Sequence, residues 1–472
     1  MTETSTAAPV HGPNDLAAVG REARRLAPRS SHGDWKPATD RPDPVTTLID
    51  QAEGRVAELL PLRYGRMLVS AFSFYRGGAA IMAGDLAGTQ VSGLSVQLCG
   101  DAHLSNFGTF SSPERELVFD INDFDETLPG PWEWDVKRLA ASICIAGRDR
   151  AFEGKDIAAA VLQTVAAYRQ AMNGFAQQGH LEVWYARIDV DELSRLFTTG
   201  IDVKRRELLE RELEKARSNT SVRALGKLTT IVDGNVCFLS KPPLLVPVDK
   251  LLSGDERADA ENNLKALLSG YRKSVAPDRR TLLERYHYVS MARKVVGVGS
   301  VGQRDWMILL HGRDGRDPLL LQAKEANGSA LERHLGSSTY RNHAERVVEG
   351  QKLMQAVSDI FLGWLRARGP DGGDRDYYVR QAADGKGAID ISLLLPAGLS
   401  AYGRLCGWTL ARAHARTGDR IAIAGYLGSS DTFDRAIAAF AERYADQNEA
   451  DYQALHNAVA GGRVQAATEA TG

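Results

Sequence analysis

The segments CGDAHLSNFG (99–108) and LVFDINDFDETLPGPWEWD (117–135) set Asp101, Asp120, Asp123, Asp125, Glu126, Glu133 and Asp135 around an apolar core, with His103 and Asn106 among them. Carboxylates this close repel one another unless a cation or a set of donors offsets their charge. Asp and Asn are common turn formers, so an exposed turn is the bland alternative. The interleaved Val118, Phe119, Ile121 and Phe124 argue against full exposure. A fold that buries this stretch has to bring positive charge to it.

The 472 residues are 43% hydrophobic and 25% charged, enough apolar material for a large core and too long for one simple domain. Two lobes are expected. A formal net charge of −2 gives no global attraction to nucleic acid or to an anionic membrane surface, so phosphate binding has to be local. Cys99, Cys144, Cys237 and Cys406 form no C-x-x-C pair, which fits neither a zinc site nor a disulfide framework. The N-terminal MTETSTAAPVHGPND has no basic region followed by an apolar run, and no segment approaches the roughly 18 apolar residues of a membrane helix. A cytoplasmic protein is expected, neither exported nor membrane-spanning.

Residues 1–45 are rich in Pro, Ser, Gly and charge, and read as a flexible or surface-laid arm. Helical spacing begins at Pro44 and continues in FSFYRGGAAIMAGDLAG. LSVQLCGD and ELVFDINDFD read as strands that pair as a hairpin across the turn TFSSPER, and WEWDVKRLAASICIAGR and IAAAVLQTVAAYRQAMNGFA as helices. Charged helices, DVKRRELLERELEKARSN and DERADAENNLKALLSGYRKS, flank a hairpin KLTTIVDGNVCFLS with a turn at its Asp-Gly. The stretch from 290 reads strand, glycine turn, strand, polar turn, strand. A helix YRNHAERVVEGQKLMQAVSDIFLGWL and the strand DYYVRQA follow, and the chain from about Leu393 is helical.

Gly297, Gly299 and Gly302 form G-x-G-x-x-G, a weak signal alone. A dinucleotide-binding loop of this kind opens a helix, whereas RDWMILL after it reads as a strand. A glycine turn between antiparallel strands is how kinases cover nucleotide phosphates, and their phosphate-binding lysine lies on the next strand. Gly297, Gly299, Ser300 and Gly302 are therefore expected over the phosphates and Lys324, in LLLQAKEA, upon them. Either Glu345 or Glu349, one turn apart on the following helix, is expected to orient the lysine, with Glu349 the favoured one. A strand-end lysine snorkelling to water is the alternative.

Phosphoryl transfer needs a carboxylate that accepts the substrate's proton, and an amide oxygen and a second carboxylate on magnesium. Asp101 and Asn106 have the D-x-x-x-x-N spacing, and Asp123 is placed to supply the second carboxylate, with Asp120 and Asp125 as competitors. GDAHLSN resembles the GDLHPGN loop of aminoglycoside phosphotransferase-like kinases, and NDFDETLPGPWEWDVKRLA resembles their IDFDDAGYGPPAYDLARLL segment. The resemblance implies Asp101 as base, an orienting role for His103, magnesium ligands among Asn106, Asp123 and Asp125, and a structural role for Asp135. Cys99 stands where a histidine usually precedes the Gly-Asp. The whole chain is similar to the bacterial domain of unknown function 2252 family.

Kinases carry the glycine loop and lysine before the catalytic loop; here the order is reversed. Chain termini often lie close together, so circular permutation preserves a site while reordering its parts. The expected fold class is α+β: a two-lobed, circularly permuted protein-kinase-like fold with a small antiparallel nucleotide lobe and a larger helical lobe. The divisions are an arm (1–45), a helical lobe with the catalytic and metal-binding loops (46–190), a mainly helical insertion (191–285), a nucleotide lobe (286–385) and C-terminal helices (386–472). The expected function is an ATP- and magnesium-dependent phosphotransferase acting on a small-molecule hydroxyl. The rivals are a metal-dependent hydrolase using Asp101, His103, Asp120 and Asp123, and a nucleotide-binding pseudokinase.

Overall fold

The computed structural model describes residues 12–189, 211, 214, 221–232, 235–251, 267–295, 297–368, 373–382, 385–387 and 389–467. The helix expected over 202–219 lies outside these apart from Arg211 and Glu214, and that over 255–274 is described only from 267. The chain is a mixture of helices and small antiparallel sheets.

The larger lobe surrounds α6 (Trp132–Asp149), whose residues are buried from Trp132 to Gly147. A helix buried on every side, its charged first turns included, has to be enclosed by others, and α7 (Gly154–Phe175), α9 (Pro396–Thr417) and α11 (Thr432–Ala460) pack on it. Trp132 stacks on Tyr168 with ring centroids 5.6 Å apart, so the tryptophan is core. The helical run from Pro44 is broken into α2 (Pro44–Asp50), α3 (Leu60–Met67), α4 (Ala71–Arg76) and α5 (Ala79–Ala87), the last two parted by Gly77 and Gly78.

The expected hairpin of LSVQLCGD with ELVFDINDFD does not form. Strand β1 (Ser95–Leu98) pairs with β4 (Leu128–Pro131), and β2 (Phe107–Ser111) pairs with β3 (Leu117–Ile121), which is joined by β5 (Ile188–Asp189). TFSSPER is thus half strand. The reason lies at 99–106, where Gly100 turns the chain with φ +82°. A Cβ at this position would meet the Glu126 carbonyl oxygen at 2.3 Å. Two loops, 99–106 and 122–127, consequently meet at one end of both sheets, joined by the Asn122 amide donating to the Asn106 carbonyl at 2.8 Å.

The smaller lobe is a six-stranded antiparallel sheet in the order β12-β13-β11-β10-β9-β8. It contains β8 (Leu245–Pro247), β9 (His287–Lys294), β10 (Asp305–His311), β11 (Pro318–Ala326), β12 (Gly363–Arg368) and β13 (Asp374–Gln381). The Asp-Gly hairpin forms as β6 (Thr229–Val232) and β7 (Asn235–Phe238). The helix expected over 340–365 is shorter: α8 (His343–Met354) ends at an extended Gln355, and its last residues belong to β12. The Asp359 carboxylate accepts from the amides of Phe361 and Gln381, which holds the return into the sheet.

The described part of the N-terminal arm contains a helix. From Pro13 it forms α1 (Pro13–Leu26), docked on α10 (Arg420–Leu427). Arginines of the arm cap α10: Arg24 donates to the carbonyls of Tyr426 (2.9 Å) and Gly425 (2.6 Å), and Arg29 to that of Leu427 (2.6 Å). The helices touch backbone to backbone, since a Cβ on Gly20 would lie 1.8 Å from the Ala422 oxygen. Gly20→Val is expected to cost about 1–3 kcal/mol by overpacking and to release α1, measured as faster proteolysis near residue 20 with a lowered melting temperature.

Asp120 and Arg412, each 1% exposed, form a buried pair that fastens β3 to α9, and Arg412 also donates to the Met354 carbonyl at 2.6 Å. Replacing Arg412 with Met strands a buried carboxylate and should destabilise by about 3–5 kcal/mol. Adding Asp120→Asn should restore part of that loss in denaturant titrations.

Candidate active site

The loop after β1 is held by Asp135 in the first turn of α6. Its carboxylate accepts from the amides of Cys99 (2.8 Å) and Gly100 (3.0 Å), and His414 of α9 lies 3.2 Å from the same group. Tyr168 meets the other ring nitrogen of His414 at 2.9 Å. His414 thus ties Asp135, and with it the loop, to α9 and α7. One turn beyond Asp135, Arg138 reaches the Asp101 carboxylate at 2.6 Å. Burial raises the pKa of Asp101, and Arg138 draws it back. Asn106 donates its side-chain amide to the Asp101 carbonyl at 2.8 Å. His103 Nε2 is 3.6 Å from the Asp101 carboxylate, and its buried Nδ1 has no partner. Burial, with Arg76 and Arg138 nearby, keeps the ring's pKa well below the usual histidine value, so it is neutral.

The second loop takes its cations from the sheet lobe. Lys324, in β11, bonds the Asp125 carboxylate and lies 3.7 Å from that of Asp123. Tyr378, opposite it on β13, donates to Asp125 at 2.8 Å. Burial would lower the Lys324 pKa, but Asp123 and Asp125 outweigh it and hold it well above the ordinary lysine value. Burial likewise opposes ionisation of Asp123, and Lys324 and Arg380 outweigh it, keeping the carboxyl below the usual aspartate range. Asp125 is pushed up by burial and by Asp123. Asp123 keeps 35% side-chain exposure against 19% for Asp125, so Asp123 is the freer carboxylate. Arg346 of α8, 1% exposed, donates to the carbonyls of Thr127 (2.7 Å), Asp125 (2.8 Å) and Asn327 (2.8 Å).

The glycine turn closes over these loops. Asp101, His103, Asn106, Asp123 and Asp125 line one narrow cleft with Gly297, Gly299 and Ser300, and its volume is about 90 Å³. Arg66 donates to the Gly297 carbonyl (2.9 Å), and Arg55 to those of Gly299 (2.9 Å) and Val301 (2.7 Å). Gly302, at φ +89°, sits behind the cleft against Arg55 and accepts from the Val56 amide at 2.7 Å.

A mixture of helices and small antiparallel sheets, with a charged cleft between early acidic loops and a late glycine hairpin, is the class of molecule these features define. The chain belongs to the family described as an uncharacterised protein conserved in bacteria, DUF2252, whose model matches residues 55–458. No curated protein and no solved structure matches the chain. No helix among the described residues is long and apolar enough to cross a membrane.

Glu349 is not brought to the site. It pairs with Lys352 at 2.9 Å, and the partners of Lys324 are Asp123 and Asp125, so neither helix glutamate orients the lysine. The inward position of α8 belongs to Arg346, because the loop offers carbonyls and carboxylates rather than a free cation. Asp120 is drawn away from the cleft by Arg412 and by the amides of Ile121 and Ala356. Sequence reasoning missed Arg138, Arg346, Tyr378 and Arg380. Only Arg138 carried a signal, its place three residues after Asp135 on one helical face.

Asp305, opposite Lys324 in the sheet, is 1% exposed; its Oδ2 accepts from Gln322 at 2.6 Å and its Oδ1 has no partner. Burial raises its pKa from 3.8 to about 6. A raised carboxyl costs nothing below the unfolded value and its full penalty above the folded one. Asp305→Asn should therefore raise the melting temperature at pH 8, by up to ~3 kcal/mol in stability, and leave it nearly unchanged at pH 4.

Proposed function

We propose that the chain is an ATP- and magnesium-dependent phosphotransferase acting on a hydroxyl of a small molecule, in a circularly permuted kinase-like fold whose nucleotide lobe spans residues 286–385. The observation that carries this reading is the shared cleft: Asp101, Asn106 and Asp123 line the same space as Gly297, Gly299 and Ser300, nearly two hundred residues later. The 3.7 Å approach of Lys324 to Asp123 supports it as well, since permutation requires the lysine and the metal-binding loop to meet despite their order.

In this reading Asp101 accepts the proton of the acceptor hydroxyl, oriented by Arg138 and by neutral His103. Lys324 pairs the α- and β-phosphates, and the glycine hairpin covers them. Asn106 and Asp123 are the residues that would hold magnesium. The Asn106 amide nitrogen is spent on Asp101, which leaves its oxygen to coordinate, and Asp123 is ionised and partly open. Magnesium is usually held by one or two carboxylates plus substrate phosphates, and among the described residues no group of three or more His, Cys, Asp or Glu is set to hold an ion. When bound, the metal neutralises charge on the phosphates. Asp125, engaged by Lys324 and Tyr378, is the weaker ligand candidate.

A cleft of 90 Å³ is well short of the roughly 300–1,000 Å³ of small-molecule pockets. Nucleotide binding therefore requires the glycine hairpin to lift. The hydrolase reading is weakened by Asp120, whose oxygens are already committed.

Magnesium-dependent thermal stabilisation by ATP, followed by a mass-shift screen of hydroxylated metabolites, tests the reading. Asp101→Asn is expected to lower transfer by roughly 10²–10⁴-fold while nucleotide still stabilises the protein. Transfer at the wild-type rate in that variant overturns the assignment, and stabilisation without any turnover points to a pseudokinase.

A further inference from the structure

Three arginines, Arg55, Arg63 and Arg76, line the cleft beside the acidic loops and the glycine turn. Elsewhere in the described core, buried guanidinium groups are matched. Arg138 has Asp101, Arg412 has Asp120, Arg169 has Asp434, and Arg346 has Glu332 at 3.8 Å besides three carbonyls. Arg63 and Arg76 are different. Arg63 is 1% exposed and touches no carboxylate among the described residues: it has long bonds to the Leu48 carbonyl (3.2 Å) and to Gln51 Oε1 (3.5 Å), the Tyr64 side chain beside it with its ring centre 5.9 Å away, and an unpartnered Nε. Arg76 has a buried, unpartnered Nε and forms no ion pair among the described residues. Arg55 spends its donors on the carbonyls of Gln51, Gly299 and Val301, so its charge is not cancelled by a carboxylate contact. Burial, then the neighbouring Arg55, lower the Arg63 pKa to about 9.

Desolvated guanidinium groups without counter-ions are costly, and a ligand that carries the missing charge relieves the cost. The fork of an arginine matches the oxygens of phosphate or carboxylate. Two unmatched arginines, with the charge of a third behind them, fit a dianion better than a monoanion, which favours phosphate. Position assigns the phosphate to one of the two reactants. The nucleotide already has Lys324, the Asn106 and Asp123 pair, and the glycine hairpin. Arg76 ends α4, where its carbonyl abuts Gly299, and the carboxylate that acts on it is Asp101, the proposed base.

We infer that Arg63 and Arg76 form an anion subsite for the acceptor, so that the substrate is a phosphomonoester bearing a free hydroxyl. This rests on the phosphotransferase reading. The cleft volume, at the roughly 10–15 Å³ that one water requires, accommodates a small tetrahedral anion without opening.

The test is calorimetric titration of inorganic phosphate, and separately of acetate, into the full chain saturated with magnesium and the non-hydrolysable analogue AMP-PNP. Phosphate is expected to bind the loaded protein and acetate much more weakly. Arg63→Gln and Arg76→Gln are each expected to weaken phosphate by roughly tenfold or more while the AMP-PNP affinity changes little. The Arg76 side chain makes no hydrogen bond among the described residues, so its variant is expected to retain the fold even where the Arg63 variant does not. Exclusion of phosphate by AMP-PNP overturns the inference, because the arginines would then serve the transferred group of the nucleotide. Equal binding by both variants, or by acetate, also overturns it. Arginine-dependent phosphate binding in a protein that takes no magnesium nucleotide sinks the phosphotransferase reading, and the acceptor assignment with it, but leaves the anion site.

Discussion

The architecture depends on cancelling negative charge that the chain buries early. Asp101, Asp120, Asp123 and Asp125 lie within 25 residues of one another, and their cations arrive from 37, 292 and about 200 residues away. Each such pair is costly to desolvate and much costlier to break, because the surviving partner is left charged in the interior. The two lobes are therefore joined by a charged plug set beside apolar contacts, among them Val295 and Val301 with Leu59 and Leu62. Lys324 and Arg346, both nearly inaccessible, enter the acidic loop from the sheet lobe and fix the angle at which the glycine hairpin meets Asp101.

Much of this was readable from local pattern. The hairpin of β9 and β10, the lysine on β11 and the helices α6 and α7 follow from periodicity and glycine placement, which depend on neighbours along the chain. The gathering of Asp101, Asn106 and Asp123 was legible too, through a spacing that resembles a known loop. What failed depended on distant partners. Residues 95–98 look like the first half of a hairpin and instead pair with 128–131, because Gly100 and Asp135 redirect the chain between them. The charge of the N-terminal segment has no visible use until α10 offers its terminal carbonyls to Arg24 and Arg29. Glu345 and Glu349 stand out on α8 only if the lysine takes a carboxylate from that helix; two aspartates on the facing loop already satisfy it.

The cleft joins opposite requirements within a small space. Asp101, Asp123 and Asp125 there are paired with Arg138 and Lys324, whereas Arg63 and Arg76 touch no carboxylate among the described residues, although the chain as a whole carries −2. Local field and net charge are separate properties, and a site of this kind attracts anions without making the surface basic.

The span between Asp120 and Arg412 also bears on synthesis. A ribosome delivers the chain from its N-terminus, so the acidic loops emerge long before α9 can supply Arg412 or His414, and α1 emerges long before α10 exists to receive it. Contacts so far apart are slow to form, and unpaired segments are exposed to misassociation while they wait. The larger lobe is completed only by the C-terminal helices, which makes it a poor candidate for folding in step with translation.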